Sequence, residues 1–143
     1  MNKKRIYSVF FLIIFLAGCT GGYQKFSNSP ASFGGYRDFQ IEDQPLHYKI
    51  RYTGSQYAKF PVLKKLALYR AAEVAKINNF SKFQVISETE ISDNSVLATT
   101  SYELIIKLLS SEDKSVLDVY STQSILKDGP PPTPKIWKFF TYY

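Results

Sequence analysis

The clearest structural signal in the chain is residues 46–53, which read Leu46-His47-Tyr48-Lys49-Ile50-Arg51-Tyr52-Thr53. Apolar or aromatic side chains alternate with polar ones through all eight of these positions. A period of two over this length predicts a β-strand with one buried face and one solvated face. Gly54 and Ser55 follow and are expected to end the strand.

A helix is predicted directly after this strand, over residues 62–77. Pro61 suits the first helical position, where a missing N–H group has no cost. Apolar and small residues recur at spacings of three and four and form one face, and these are Leu63, Leu66, Ala67, Ala71, Val74 and Ile77. Asn78 and Asn79 are expected to end the helix.

The rest of the sequence completes an α+β prediction. Residues 83–90 and 101–109 have the composition of strands. Residues 116–127 fit either a strand over 116–120 or a short helix over 121–127, and the pattern does not decide between them. We therefore expect one domain over residues 36–128, of order β-α-β-β plus a short C-terminal element, in which a small sheet of about three strands packs against one main helix.

The N-terminus has the pattern of an exported protein. Three cations within residues 3–5 precede a twelve-residue apolar run over residues 6–17, which is shorter than the roughly 20 residues that span a membrane. Leu16-Ala17-Gly18-Cys19 then resembles the lipobox of bacterial lipoproteins. The resemblance implies a signal peptide over residues 1–18, cleavage between Gly18 and Cys19, and lipidation of the Cys19 sulfur, with palmitate as a typical acyl chain.

The alternative is an ordinary signal peptide that ends near a structural cysteine. Cys19 is the single cysteine of the chain, so it has no disulfide partner within it. Thr20 follows it where lipoproteins retained in the inner membrane often carry Asp. By that resemblance, the expected location is the outer membrane of the cell envelope, facing the periplasm.

Residues 19–35 are predicted to form the acylated N-terminus and a flexible tether, because they hold four of the seven glycines and show no regular period. A flexible segment of this length has a root-mean-square span of about 22 Å. Its full extension is about 55 Å. The folded domain is thus expected to stand clear of the lipid headgroups.

Charge and composition exclude several functional classes. The net charge of +6 falls to +3 when Lys3, Lys4 and Arg5 are removed with the leader, so a dedicated nucleic-acid binder is not expected. One histidine and one cysteine exclude most metal sites with several ligands. No cofactor and no metal are predicted.

One segment of the predicted helix carries a family resemblance. Leu68-Tyr69-Arg70-Ala71-Ala72-Glu73, together with Gly35-Tyr36 and the strand at residues 46–53, resembles the uncharacterised CC0125/CC1285 lipoprotein family. The resemblance covers residues 35–86 and implies a lipobox, a spacer and a strand-helix-strand unit. No activity has been assigned to that family, so none follows for this chain.

Few side chains are candidates for a functional site. Arg70 and Glu73 lie three apart on the helix and are interpreted as a structural pair, or as a polar anchor for a partner or for the first strand. His47 is expected to be an exposed strand residue. An acidic group within residues 88–93 lacks the spacing of a calcium loop and is expected to form a solvated edge.

The C-terminal segment, residues 129–143, is Pro-rich and then aromatic. Three interpretations stay open for its aromatic end: packing over the domain's own sheet, docking to a protein by β-augmentation, and contact with the lipid interface. The candidate partner contacts are Trp137, Phe139, Phe140 and Tyr142.

The functional hypothesis is a non-catalytic, lipid-anchored domain that binds an envelope protein or a peptidoglycan-associated partner. One alternative is an envelope hydrolase with a carboxylate pair, Glu73 with Glu88 or Asp93. The other is an accessory of the stress response without a fixed ligand.

Overall fold

The computed structural model describes residues 23–26, 34–94, 98–110, 112–113 and 117–132. The predicted signal peptide over residues 1–18, its cleavage site and the lipidation site Cys19 lie outside the described residues. So do the candidate partner contacts of the C-terminal segment, namely Trp137, Phe139, Phe140 and Tyr142.

Five antiparallel strands form a curled half-barrel, and two helices accompany it in the described part of the chain. The strands are β1 (Gly35–Gln40), β2 (His47–Ser55), β3 (Lys82–Asp93), β4 (Thr99–Leu109) and β5 (Val119–Ser121), and the helices are α1 (Phe60–Ile77) and α2 (Thr122–Leu126). The strand order in the sheet is β1-β2-β4-β3-β5. The predicted α+β arrangement, a sheet of about three strands on one main helix, is therefore wrong.

The two strongest sequence patterns correspond to β2 and α1. Ile50 and Tyr52 of β2 are buried, as the alternation predicts. Leu46 lies before the strand and is 37% exposed, and the strand continues through Gly54 and Ser55, which were expected to end it. Helix α1 begins after Lys59 with a proline in its first turn and ends at Ile77, with Asn78 as its C-cap. Asn79 then has a φ of 64°, the left-handed conformation that asparagine adopts more readily than most residues.

Strand β1 is the element that the sequence did not predict. It pairs with β2 from Gly35 opposite Thr53 to Gln40 opposite Tyr48. Its alternate positions are not apolar on either face, so the strand has no hydrophobic period of two. Pairing with β2 fixes its conformation instead. At the other end of the domain, residues 116–127 contain both of the elements between which the sequence did not decide, β5 and α2.

A β-bulge changes the side-chain pattern in the middle of β3. The register with β4 shifts between Val85 and Ser87. Glu88 then pairs with Leu104, so this carboxylate projects from the same side of the sheet as the buried Phe83. A continuous alternation would have placed it on the opposite side.

The hydrophobic core lies between α1 and the concave side of the sheet. Small alanines at positions 67, 71 and 75 of α1 are fully buried and permit close packing of the helix on the strands. The largest fully buried side chains come from α1 and from β2, β3 and β4, and they are Ile50, Leu63, Leu66, Phe83, Leu104, Ile106 and Leu108. We call the side of the sheet that faces away from α1 the open face.

Candidate functional site

Residues 23–26 extend the sheet at the outer edge of β1. Phe26 N–H donates a hydrogen bond to the Tyr36 carbonyl at 2.8 Å, and Tyr36 N–H donates to the Gln24 carbonyl at 3.0 Å. Glycine is required at position 35, because its φ is 148° and an added Cβ would lie 2.6 Å from the Gln24 carbonyl oxygen. Part of the predicted tether is thus hydrogen-bonded to the domain, and its last residue, Gly35, belongs to β1.

Tyr23 fixes this segment by inserting among aromatic rings. Its ring centroid lies 5.1 Å from that of Tyr36, 6.1 Å from that of Tyr52 and 5.2 Å from that of Tyr69. Its hydroxyl donates to a carboxylate oxygen of Glu73. Burial, and then the Glu73 carboxylate, raise the pKa of Tyr23 well above its ordinary value, so the hydroxyl stays a donor.

Arg70 joins α1 to β1 beneath Tyr23. Its guanidinium donates to both oxygens of Asp38, at 2.9 and 3.2 Å, and to Glu73 at 2.9 Å. It also lies 4.2 Å from the centroid of the Tyr36 ring. Burial opposes the charge, but the hydrogen bonds to Asp38 and Glu73 raise the pKa of Arg70 above its ordinary value. The result is a polar and aromatic junction, which we call the Tyr23 junction.

The sequence identified two members of this junction and missed the others. Arg70 and Glu73 were predicted as a structural pair, and the structure brings them within hydrogen-bond distance. Asp38 was missed because β1 itself was not predicted. Tyr23 was missed because it lies in a Gly-rich stretch.

A second polar cluster, centred on the Glu88 carboxylate, lies between α1 and β3. Glu88 accepts from Lys64 at 2.6 Å and from the Tyr102 hydroxyl. Burial opposes ionisation, but these two donors lower the pKa of Glu88, and the Glu88 bond raises the pKa of Lys64. Of the carboxylates in the hydrolase alternative, Glu73 binds Arg70 and Tyr23, whereas Glu88 binds Lys64 and Tyr102.

His47, expected to be an exposed strand residue, is partly buried at the start of β2. His47 Nδ1 lies 3.1 Å from the Pro45 carbonyl oxygen. Among the described residues, no group of three or more His, Cys, Asp or Glu side chains is arranged to hold a metal ion.

The open face combines cations with exposed apolar side chains. Lys49 and Arg51 of β2 flank Glu103 of β4, at 3.5 and 2.6 Å. Beside them Phe39 is 52% exposed and Ile86 is 50% exposed. A groove of about 740 Å³ runs between these apolar side chains and is lined by Lys49.

The far edge of β3 has no strand partner along most of its length in the described part of the chain. Strand β5 covers only Lys82, Phe83 and Gln84. The residues from Ser87 to Asp93 pair with β4 and with no second described strand, and Ile86 lies in the bulge before them. All residues of this stretch except Ile91 are exposed. We call this stretch the β3 edge.

No protein-family model, curated protein or solved structure matches this chain. Neither of the two described helices has the length and hydropathy needed to cross a membrane.

Proposed function

We propose that this chain is a lipoprotein of the bacterial envelope, anchored through Cys19, whose half-barrel domain acts by binding a partner protein at the β3 edge rather than by catalysis. The observation that supports the proposal is that one edge of the sheet is paired with a further segment and the other edge is not. Residues 23–26 cover the β1 edge, whereas the β3 edge lacks a strand partner among the described residues.

The docked segment determines how closely an anchor at Cys19 would hold the domain. Tyr23 is four residues after the lipobox cysteine, and four residues at full extension span at most about 14 Å. A lipid on Cys19 would therefore hold the domain at the bilayer. Two or more acyl chains on one residue give stable attachment, whereas a single chain binds only marginally.

The β3 edge has the chemistry of a strand-addition site. An edge strand offers backbone N–H and C=O groups to an extended partner segment, and side-chain contacts then give specificity. Glu90 and Asp93 are exposed on this stretch and make it acidic. Like charges oppose pairing between two copies of this edge, so we propose an envelope protein that presents an extended segment with lysine or arginine.

The anchoring part is tested by intact-mass measurement on protein purified from bacterial membranes. We expect a chain that begins at Cys19 and carries a diacylglyceryl group and acyl chains. The variant Cys19→Ser should lose this mass and leave the membrane fraction. An unmodified chain, or a serine variant with unchanged fractionation, would contradict anchoring at this residue.

The binding part is tested by photocrosslinking in intact cells. A benzophenone amino acid at Thr89 on the β3 edge should capture a partner protein, and the same probe at Lys65 on the exposed side of α1 should not.

Two charge-reversal variants provide the matched control for that experiment. Glu90→Lys reverses a charge on the β3 edge and should abolish the Thr89 crosslink. Glu112→Lys makes the same charge change at another exposed position and should preserve it. Equal capture from Thr89 and Lys65, or a crosslink that survives Glu90→Lys, would contradict strand addition at this edge.

A further inference from the structure

We infer that the open face of the half-barrel lies on the headgroups of anionic lipids, so that the sheet rests on the membrane and its β3 edge points along the surface. The inference rests on the proposed anchoring through Cys19. It goes beyond that proposal because it states which side of the domain contacts the bilayer and with which lipid chemistry.

The charge of the open face favours an anionic surface. The strand registers place five cations and two acids on this side of the sheet, and these are Arg37, Lys49, Arg51, Lys82 and Lys107 against Asp93 and Glu103. Glu103 is bonded to two of the cations and is largely buried beneath them. The strand residues of this face therefore carry a net positive charge, and Glu42 adds one acid at the groove. Basic residues near a membrane are attracted to anionic headgroups.

Apolar side chains lie among these cations. Phe39 and Ile86 are each about half-exposed, and the Lys49 ammonium lies 6.0 Å from the centroid of the Phe39 ring. The groove between these side chains is also lined by Ile105. Lysine next to an exposed aromatic ring is the combination that membrane interfaces favour, because the ring enters the headgroup region while the amine stays at the phosphates.

The docked N-terminal segment brings the proposed anchor to the β1 edge of the sheet, which borders this face. The Arg37 guanidinium lies 4.0 Å from the centroid of the Phe26 ring, so the segment and the open face share a continuous surface. The proposed anchor is at most about 14 Å of chain away from Tyr23. Tethering at such a distance gives lipid a high effective concentration beside this face, which favours headgroups over a soluble anion.

The experiment places an environment-sensitive fluorophore on the open face of the acylated protein. The variant Ser87→Cys places the label on that face, because Ser87 is exposed and pairs with Ile105. The variant Lys65→Cys places it at an exposed control position on α1. Each protein is labelled with a nitrobenzoxadiazole group. Each is then reconstituted in vesicles of phosphatidylcholine, with or without about one third phosphatidylglycerol, which supplies an anionic surface.

We expect a blue shift and quenching by nitroxide-bearing lipid at position 87 in the anionic vesicles, and neither effect at position 65. Arg37→Gln with Lys49→Gln should reduce the quenching at position 87 several-fold. The control Lys65→Gln with Lys76→Gln removes the same amount of charge from α1 and should leave the quenching at position 87 unchanged.

Flotation with the vesicles separates the two proposals. A protein that floats while its label at position 87 stays in water overturns the open-face inference and leaves the anchoring intact. Equal quenching in both vesicle types, or equal effects of the two double variants, overturns the role of anionic headgroups. A protein that does not float overturns the anchoring and, with it, the inference that rests on it.

Discussion

Replacing Tyr23 by alanine should release residues 23–26 from the sheet while the half-barrel stays folded. The segment has few other contacts with the domain, chiefly two backbone hydrogen bonds to Tyr36 and the Phe26 ring beneath Arg37. Removing a fully buried aromatic side chain costs about 3–5 kcal/mol. Tyr23 is only partly buried, so we expect a loss of about 2–3 kcal/mol in docking free energy.

Hydrogen exchange at single amides measures this release directly. Tyr36 N–H is protected by the Gln24 carbonyl in the intact protein. A loss of about 2–3 kcal/mol is roughly a 30- to 150-fold change in the docking equilibrium. We expect a similar increase in the exchange rate of the Tyr36 amide, with no change at the buried Ile50 in the centre of β2.

The variant Tyr23→Phe separates the ring from its hydroxyl. It keeps the three ring contacts and loses the bond to Glu73, which retains Arg70 as a donor. We expect a smaller acceleration at Tyr36, of about tenfold, since a hydrogen bond to a charged group contributes about 1.5–3 kcal/mol and Glu73 here keeps a second partner. Unchanged exchange at Tyr36 in Tyr23→Ala would refute the role assigned to the Tyr23 junction.

Three further predictions concern stability. Arg70→Lys keeps the charge but loses the fork that binds both Asp38 oxygens, so denaturant unfolding should show a loss of about 1–3 kcal/mol, and an unchanged midpoint would contradict the junction. Burial raises the pKa of Tyr52 and of Tyr102 from 10.0 to about 12. The stability that their neutral forms add is therefore fully present below pH 10 and is lost as the pH rises towards 12. Absorbance at 295 nm should show tyrosines that ionise late and titrate together with unfolding. Titration of all tyrosines near pH 10 would contradict the burial of these two. Phe83→Ala removes a fully buried ring and should cost about 3–5 kcal/mol in the same unfolding assay, whereas a loss below 1 kcal/mol would contradict its place in the core.

Local periodicity predicted the elements whose burial is regular. In the middle of strand β2, the buried Ile50 and Tyr52 alternate with half-buried residues because α1 covers one side of it. Helix α1 repeats its apolar residues because one face packs on the sheet. In both cases the middle of the element packs on the core and follows the sequence period. The ends depart from it, since Leu46 is 37% exposed and Ile77 is 68% exposed.

The remaining features depend on contacts between distant parts of the chain. Strand β1 is fixed by pairing with β2 and by the bond from Arg70 to Asp38, neither of which leaves a hydrophobic period. The bulge after Val85 reverses the side-chain alternation of β3 without a glycine or proline to indicate it. Tyr23 contacts residues up to fifty positions away, so no local pattern could reveal the docked segment.

The distance between the folded domain and the bilayer tests the account most directly. Neutron reflectometry on the acylated protein, bound to a supported membrane with anionic lipid, measures the water layer beneath the domain. We expect protein density to begin at the headgroups, within the roughly 14 Å that the chain between Cys19 and Tyr23 permits. A hydrated gap near 22 Å, the mean span of a free tether over residues 19–35, would contradict the docking of residues 23–26 in the anchored protein.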